Sequence, residues 1–534
     1  MLQPTLIRFV FLLFFGTYSF ISHAQQVMDA YSMFPVQSNG SARIMAMGGS
    51  SNALGGDISA IFQNPAGLSQ FRTNEIILSP AFRLHQLQTP YQGKEFANDR
   101  NRLNIGTSGL VMSSSHYRKG KMVRNNWGIA FNQTANFNSR LQFSGINQTS
   151  SYSEKWVEEL VGNNIKNFED ARNFFPIGAS LAFRNYLVDS IQNSNNMVIE
   201  GYRTNAEASD FPLSQSFTQN ISGSANELAL GISRSHSEKL FYGMTIGIPF
   251  LRRIETFTVE EKDLSGNPDN DFEQFRFTET ISTTGTGLLL RAGILYKPAE
   301  RLRIGLNLQS PAFYTLTRNT DASLETSVEN YARKVENNNT EPQQFSANTQ
   351  DITEGSDFSY DYRVNTPWTA ALAFAYVFRE TENVKQQRGM LTAEIEFVNH
   401  QSTRFYQAST DDDPQADAYY RILNQQIRDM YRPAFNFRIG GELKFHTLMF
   451  RGGFQYLQSP FENTRESFGI KGYRMIPSIG IGYRDKGMFI DLTYSHLLGD
   501  QIFFPYILRR RIPVPFAQSQ VRNGQILATV GFKF

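Results

Sequence analysis

The 534-residue chain contains no cysteine. Disulfides, thiolate catalysis, Cys-ligated zinc and a lipid-modified N-terminal Cys are therefore excluded. It also lacks an excess of either charge, with 51 Lys and Arg against 49 Asp and Glu. Nucleic-acid binders carry a strong basic surplus, so no nucleic-acid partner is expected. Long apolar runs are missing: beyond the first residues, no stretch approaches the roughly 18 apolar residues of a transmembrane helix. Histidine is scarce. His85, His116, His236, His400, His446 and His496 are scattered, and no HExxH pair occurs. A Ser or Asp beside His496 is the nearest approach to a catalytic pair, so no enzyme, cofactor or metal is expected. The acidic run Asp411-Asp412-Asp413 lacks the Gly and terminal Glu of a calcium loop.

Residues 1–24 read as an export signal: Arg8, an apolar run from Phe9 to Phe15, then Ser22-His23-Ala24 as a small-x-small cleavage site. An exported chain without apolar helices is secreted, periplasmic or an outer-membrane β-barrel. A barrel carries its membrane signal in alternation rather than in runs.

Such alternation is present. Phe534, Phe532, Val530, Ala528 and Ile526 share one face, and Lys533, Gly531, Thr529 and Gln525 the other, with Leu527 an exception. A terminal amphipathic strand with a final Phe resembles the signal by which bacterial outer-membrane barrels engage the barrel-assembly machinery; otherwise it is an edge strand of a soluble sandwich. The same period recurs in Met488–Tyr494, Ile479–Tyr483, Phe437–Phe445 and Leu391–Phe397. We read strands near 74–83, 101–113, 126–137, 226–236, 239–251, 274–297, 301–313, 358–378, 388–405, 434–446, 447–458, 471–484, 487–498 and 522–534. Tight gaps such as Ser237-Glu238 and His446-Thr447 alternate with long ones at 138–225, 252–273, 314–357, 406–433 and 499–521. Short turns at one end and long loops at the other predict an all-β, transmembrane antiparallel barrel of about 14 strands.

Residues 39–71 carry Gly48-Gly49 and Gly55-Gly56, but no Lys-Ser/Thr follows, so no phosphate loop forms. Together, Gly40-Ser41-Ala42-Arg43, Ala46-Met47-Gly48-Gly49, Asp57, Ala60 and Asn64-Pro65-Ala66-Gly67-Leu68 resemble the N-terminal hatch of the FadL/TodX family of outer-membrane transporters of hydrophobic compounds. Tyr296-Lys297-Pro298, Arg303-Ile304-Gly305, Ser310-Pro311 and the terminal Phe strand add to the resemblance; the long loops match nothing. It implies an organisation of signal peptide (1–24), plugging hatch (25–72) and barrel (73–534). It implies a monomer in the bacterial outer membrane, in contact with lipopolysaccharide. The implied function is passive uptake of hydrophobic small molecules or lipids, such as long-chain fatty acids. Ligand would pass an outer groove and a lumenal pocket, then leave through a hatch-gated gap in the wall. The alternative is a barrel of this family acting as scaffold or shuttle for a secretion system or a surface protein, with loops 314–357 and 406–433 as its contacts.

Gly48, Gly49, Asn64, Pro65, Ala66 and Gly67 are the expected gating residues, or else a turn that fixes the plug. Trp156, Leu160, Val161 and Phe183 fall at helical spacing in the loop at 138–225. They form an outer capture groove or pack the loop on itself. Arg291, Arg303, Arg438 and Lys444, with Arg451, point inward by alternation. Each is a candidate anchor for an anionic head group, or pairs with a carboxylate such as Glu394, Glu396 or Glu442. Arg509-Arg510-Arg511 would meet lipopolysaccharide phosphates or water.

Overall fold

The computed structural model describes residues 21–35, 39–118, 121–192, 199–208, 210–268, 270–329, 344–378, 388–408, 413–462, 472–508 and 514–534. Residues 1–20 of the expected leader (1–24), the acidic pair Asp411-Asp412 and the Arg509-Arg510-Arg511 triple lie outside the described residues.

Fourteen antiparallel strands make one sheet: β1 (75–91), β2 (94–118), β3 (121–147), β4 (Leu213–His236), β5 (Leu240–Asp263), β6 (Gln274–Ala299), β7 (302–327), β8 (358–378), β9 (389–407), β10 (Pro433–Phe445), β11 (Leu448–Leu457), β12 (Arg474–Asp485), β13 (Met488–Phe503) and β14 (Ala517–Lys533). Each pairs with the next, and β14 pairs with β1, for example Ile76 with Phe532 and Phe82 with Ile526. The sheet thus closes on itself, which removes the free edges that hydrocarbon cannot solvate. Phe534 continues past β14, where its amide donates to Asn74 O at 3.0 Å.

The expected alternation holds in the terminal strand. Ile526, Phe532 and Phe534 are exposed. Leu527, the residue that broke the pattern, points inward and is 2% exposed against Ala42 and Met45.

Several strands are much longer than expected: β4 and β5 have 24 residues each and β6 has 26. The expected loops at 138–225, 252–273 and 314–357 each contain strand that extends the wall. β5 shows why they were hidden. Its outward residues Leu240, Tyr242, Met244, Ile246 and Ile248 are exposed and apolar, but beyond Phe250 they become Arg252, Thr256, Thr258, Glu260 and Lys262. Its inward residues change the opposite way, from Gly243, Thr245 and Gly247 to buried Phe257 and Val259. The lower part faces lipid and the upper part faces water, where an apolar face must turn inward. The phase of the strand is unchanged while its outer face turns from apolar to polar.

The upper storey has its own apolar core. Phe143, Tyr152, Trp156, Leu160, Phe217, Phe275 and Phe277 are buried together there. A second cluster lies lower. It joins Val27, Ala30 and Met33 of the helix Ile21–Ser32 to Leu423, Ile427 and Met430 of the helix Pro414–Met430 and to wall residues such as Leu251 and Tyr314. The expected polar loop 406–433 is therefore corrected: its helix turns an apolar stripe (Leu423, Ile427, Met430) into the barrel mouth.

Candidate functional site: plug, cavity and seam

Residues 40–71 sit inside the strands. Ser41 caps a short helix, Ala42–Ala46, and Asn64 caps a 3-10 turn, Pro65–Gln70, by accepting from Ala66 N at 3.1 Å. The Asn64 Nδ2 donates to Asn52 O at 2.7 Å and to Ile294 O of β6 at 3.1 Å. Ala42 N donates to Thr529 Oγ1 of β14 at 2.8 Å. Arg43 ion-pairs with Glu442 of β10 at 3.3 Å. These bonds reach opposite sides of the barrel, so the segment crosses its interior.

Glycines on the inner wall make room for it. A Cβ on Gly243 would stand 2.5 Å from Pro65 C, one on Gly440 2.6 Å from Met47 C, and one on Gly480 2.6 Å from Ala46 Cβ. Gly128, Gly231, Gly293 and Gly305 meet Ile61, Leu68, Pro65 and Ala53 in the same way. On the plug side, Gly48 has φ +66° and Gly49 +71°, the left-handed region, and Gly48 N donates to Ser478 Oγ at 3.2 Å. Gly67 packs on the backbone of Gly55. Gly48, Gly49, Asn64, Pro65, Ala66 and Gly67 thus lie in one body locked to the wall.

The lumenal cations are mostly neutralised. Arg291 makes a double contact with Glu227, both buried. Arg438 pairs with Glu394 at 2.5 Å and Glu396 at 2.6 Å. Arg451 pairs with Glu442 and Asp491, each at 2.6 Å. Arg303 donates to Leu54 O of the plug at 3.1 Å. Lys444 lies on the inner face near the turn joining β10 to β11. Between plug and wall is a cavity of about 160 Å³. Phe62 and Gln63 border it from the plug, Asn132, Thr134 and Ala135 from β3, and Leu289, Arg291 and Tyr314 from β6 and β7.

Thr134 marks an irregular place in the wall. Ala225 pairs with Ala135 but Asn226 pairs with Gln133, so one step on β4 answers two on β3. On the other side Ile77 pairs with Gly109 but Pro80 with Ile105, so three steps on β1 answer four on β2. Each is a bulge of one residue, which bends a strand and interrupts its ladder. Between the two bulges, β2 and β3 part. Their ladder runs from Arg118↔Lys121 to Ser108↔Phe131 and stops. Above it, 94–105 pairs only with β1 and 139–147 only with β4.

This seam is bridged by side chains. Thr107 Oγ1 donates to Asn132 Oδ1 at 3.2 Å, Asn98 Nδ2 to Gln142 O at 3.3 Å, and Arg100 Nη1 to Ser139 O at 3.2 Å. Inside the seam the plug's Asn39 Nδ2 donates to Thr134 O at 2.9 Å, and Gln63 Nε2 donates to Asn39 O at 3.4 Å. Cavity, plug and seam therefore meet at Thr134.

The fold now has counterparts. A Pseudomonas aeruginosa FadL homologue superposes with a TM-score of 0.53 at 13% identity, over 93% of this chain and 99% of that one. The P. putida toluene transporter TodX gives 0.50 at 13% identity over the same shares. The fold is that of the FadL-type channels. A FadL-type barrel with this apolar outer band is an outer-membrane architecture. No family model matches the sequence, and no curated protein does.

Within this FadL-type fold the expected groove residues take different places. Trp156 and Leu160, on the helix Glu154–Gly162, are buried in the upper core. Val161 is 53% exposed, and Phe183 packs its ring near Phe168 and Tyr202. The resemblance implied a gap in the wall, but nothing in the sequence placed it between β2 and β3. Paired bulges leave no periodicity signal, because a one-residue slip resembles ordinary error in reading a strand boundary.

Proposed function

We propose that the protein is a passive channel for hydrophobic compounds, long-chain fatty acids among them, and that ligand leaves the lumen sideways through the β2–β3 seam. The observation that carries this reading is the missing ladder between 94–105 and 132–147, with a cavity directly behind it. An apolar ligand leaving there enters hydrocarbon without crossing water. The seam's side-chain bridges can break and re-form, whereas a backbone ladder would expose several unsatisfied groups to lipid at once.

In this reading the plug is the gate. Asn39 and Gln63 hold the bulged backbone at Thr134, and Asn64, Pro65, Ala66 and Gly67 fix the plug beneath them. Ligand entering the cavity would loosen Asn39 and free the seam. Capture from outside falls to exposed apolar residues of the cap, Val161 and Phe174, while Trp156 and Leu160 hold the cap together.

The test uses the absence of cysteine. The pair Thr107→Cys and Asn132→Cys is the sole source of thiols and sits where the native side chains already touch. Uptake of a labelled long-chain fatty acid and of toluene by cells expressing the oxidised variant should fall to the level of cells without the channel, and recover on reduction. Undiminished uptake through the oxidised protein would overturn lateral exit.

A further inference from the structure

Most cations of the lumen are answered by carboxylates, but the arginines at the seam are not. Arg83 and His85 of β1 face inward, and Arg102 of β2 stands directly opposite Arg83 in register. Arg100 lies two residues from Arg102, and its amide donates to His85 O at 3.0 Å. Arg140 of β3 is exposed on the outer face of its strand beside the seam, and the like charges of Arg102 and Arg140 act on Arg100.

No carboxylate ion-pairs with any of these five among the described residues. Arg83 and Arg102 make no side-chain hydrogen bond there either. Arg100 spends its donors on the backbone oxygens of Ser139 and Ile221, and Arg140 on Gln142. Asp99 pairs with Gln86 on the other face of the strand. The His85 Nε2 is buried and makes no hydrogen bond of good geometry, although Asn523 and the Asp99 carboxylate both act on the ring. Guanidinium groups gathered without a counter-ion repel one another, and a buried imidazole nitrogen left unbonded is costly. Both costs vanish if an anion sits among them.

The level of the cluster says what kind of anion. The outward residues of β1 are apolar at Ile76, Leu78 and Phe82 and polar at Gln86 and Gln88. The arginines therefore stand at the upper rim of the apolar band, at the mouth of the seam. A molecule lying in the seam with its tail in hydrocarbon would place its head among them.

We infer that Arg83, His85, Arg100, Arg102 and Arg140 form a binding site for the anionic head group of a single-file amphiphile lodged in the β2–β3 seam. A carboxylate of a transiting ligand and a phosphate of an outer-leaflet glycolipid share that chemistry. The inference rests on the lateral-exit reading for the route by which a transiting ligand arrives, but binding to the purified barrel is independent of transport.

The experiment titrates the purified full-length barrel in uncharged detergent with oleic acid, with oleyl alcohol and with lipid A. The double variant Arg83→Gln/Arg102→Gln is compared with wild type and with Arg83→Lys/Arg102→Lys, each checked for folding by heat-modifiable migration. We expect oleate to bind at least about tenfold more weakly to the Gln variant, the Lys variant to recover most of that loss, and the alcohol to be unaffected. A loss confined to lipid A instead assigns the site to a resident glycolipid and also supports an anion site. Raising salt from about 0.05 to about 0.5 M on the wild type should weaken the same anion several-fold, which keeps the test open if the variants misfold. Equal binding of acid and alcohol by wild type, with no effect on lipid A, would overturn the proposal. It would leave lateral exit of uncharged compounds standing.

Discussion

A Cβ on Gly453 of β11 would stand 2.7 Å from the Cα of Gly48 in the plug. The neighbouring Gly452 meets nothing within 4 Å. Two adjacent glycines thus have opposite meanings. Gly453→Ala should push the plug off the wall, at about 1–3 kcal/mol of overpacking, whereas Gly452→Ala should be silent. Conductance in planar bilayers is the measurement. The first variant should show frequent openings that the second and the wild type lack.

The buried pair Arg291 and Glu227 gives a second expectation. Glu227→Ala leaves a guanidinium buried without its partner and should cost about 3–5 kcal/mol. Replacing both, Arg291→Met with Glu227→Leu, should restore most of the loss. Urea midpoints of the barrel refolded in detergent would measure both. A single variant as stable as wild type would show that Arg291 finds water in the cavity beside it.

Glu261 makes the cap sensitive to pH. It is buried in the upper storey, outside the membrane band, and burial pushes its carboxyl up to about 7 despite hydrogen bonds from Ser151, Tyr152 N and Gln215. A carboxyl raised in the folded state favours folding at low pH. That contribution is complete below about 4.5 and is lost as pH rises through 7, by roughly 3 kcal/mol at most. Protection factors of the amides around Ser151 should therefore fall between pH 5 and pH 8, a range that follows from the two limits. Glu261→Gln keeps an acceptor and removes the charge, and it should flatten that dependence.

The cap's anchor is also open to test. Gly178 has φ +90°, and a Cβ there would lie 2.5 Å from Trp156 Nε1. In a Trp127→Phe/Trp368→Phe background, Trp156 is the sole remaining tryptophan and should emit like a dry indole. Gly178→Ala should shift that emission to the red. Leu160→Ala, which empties part of the same core, should cost about 2–5 kcal/mol locally and speed proteolysis of the cap. An unchanged spectrum in Gly178→Ala would mean that the ring is held from elsewhere.

The barrel was legible where strands face lipid, since Met488–Tyr494 or Phe437–Phe445 put every second apolar residue outside. It was illegible above the membrane, because residues such as Thr256 and Thr258 read as loop when only the outer face is scored. The plug was recognised from Asn64-Pro65 and its glycines, yet its receptors were not. Gly440 and Gly480 fall on the polar face of their strands by alternation, and nothing local says that a missing side chain is a seat for another backbone. The candidate head-group cations Arg291 and Arg438 were found by alternation, which gives direction but not partner. Their carboxylates lie 64 and 44 residues away, Glu227 two strands off on β4 and Glu394 on the adjoining β9.

The plug's bonds also impose an order of events. Ala42 is held by Thr529, 487 residues later, and Arg43 by Glu442, 399 residues later. A segment made hundreds of residues before its partners thus has a berth that does not exist until β10 and β14 arrive. Contacts so distant in sequence form late and slowly. Its apolar residues must stay shielded by some other means until the sheet closes, and premature docking on a half-built wall would trap the barrel open. Assembly of this protein is therefore a problem of keeping the plug waiting.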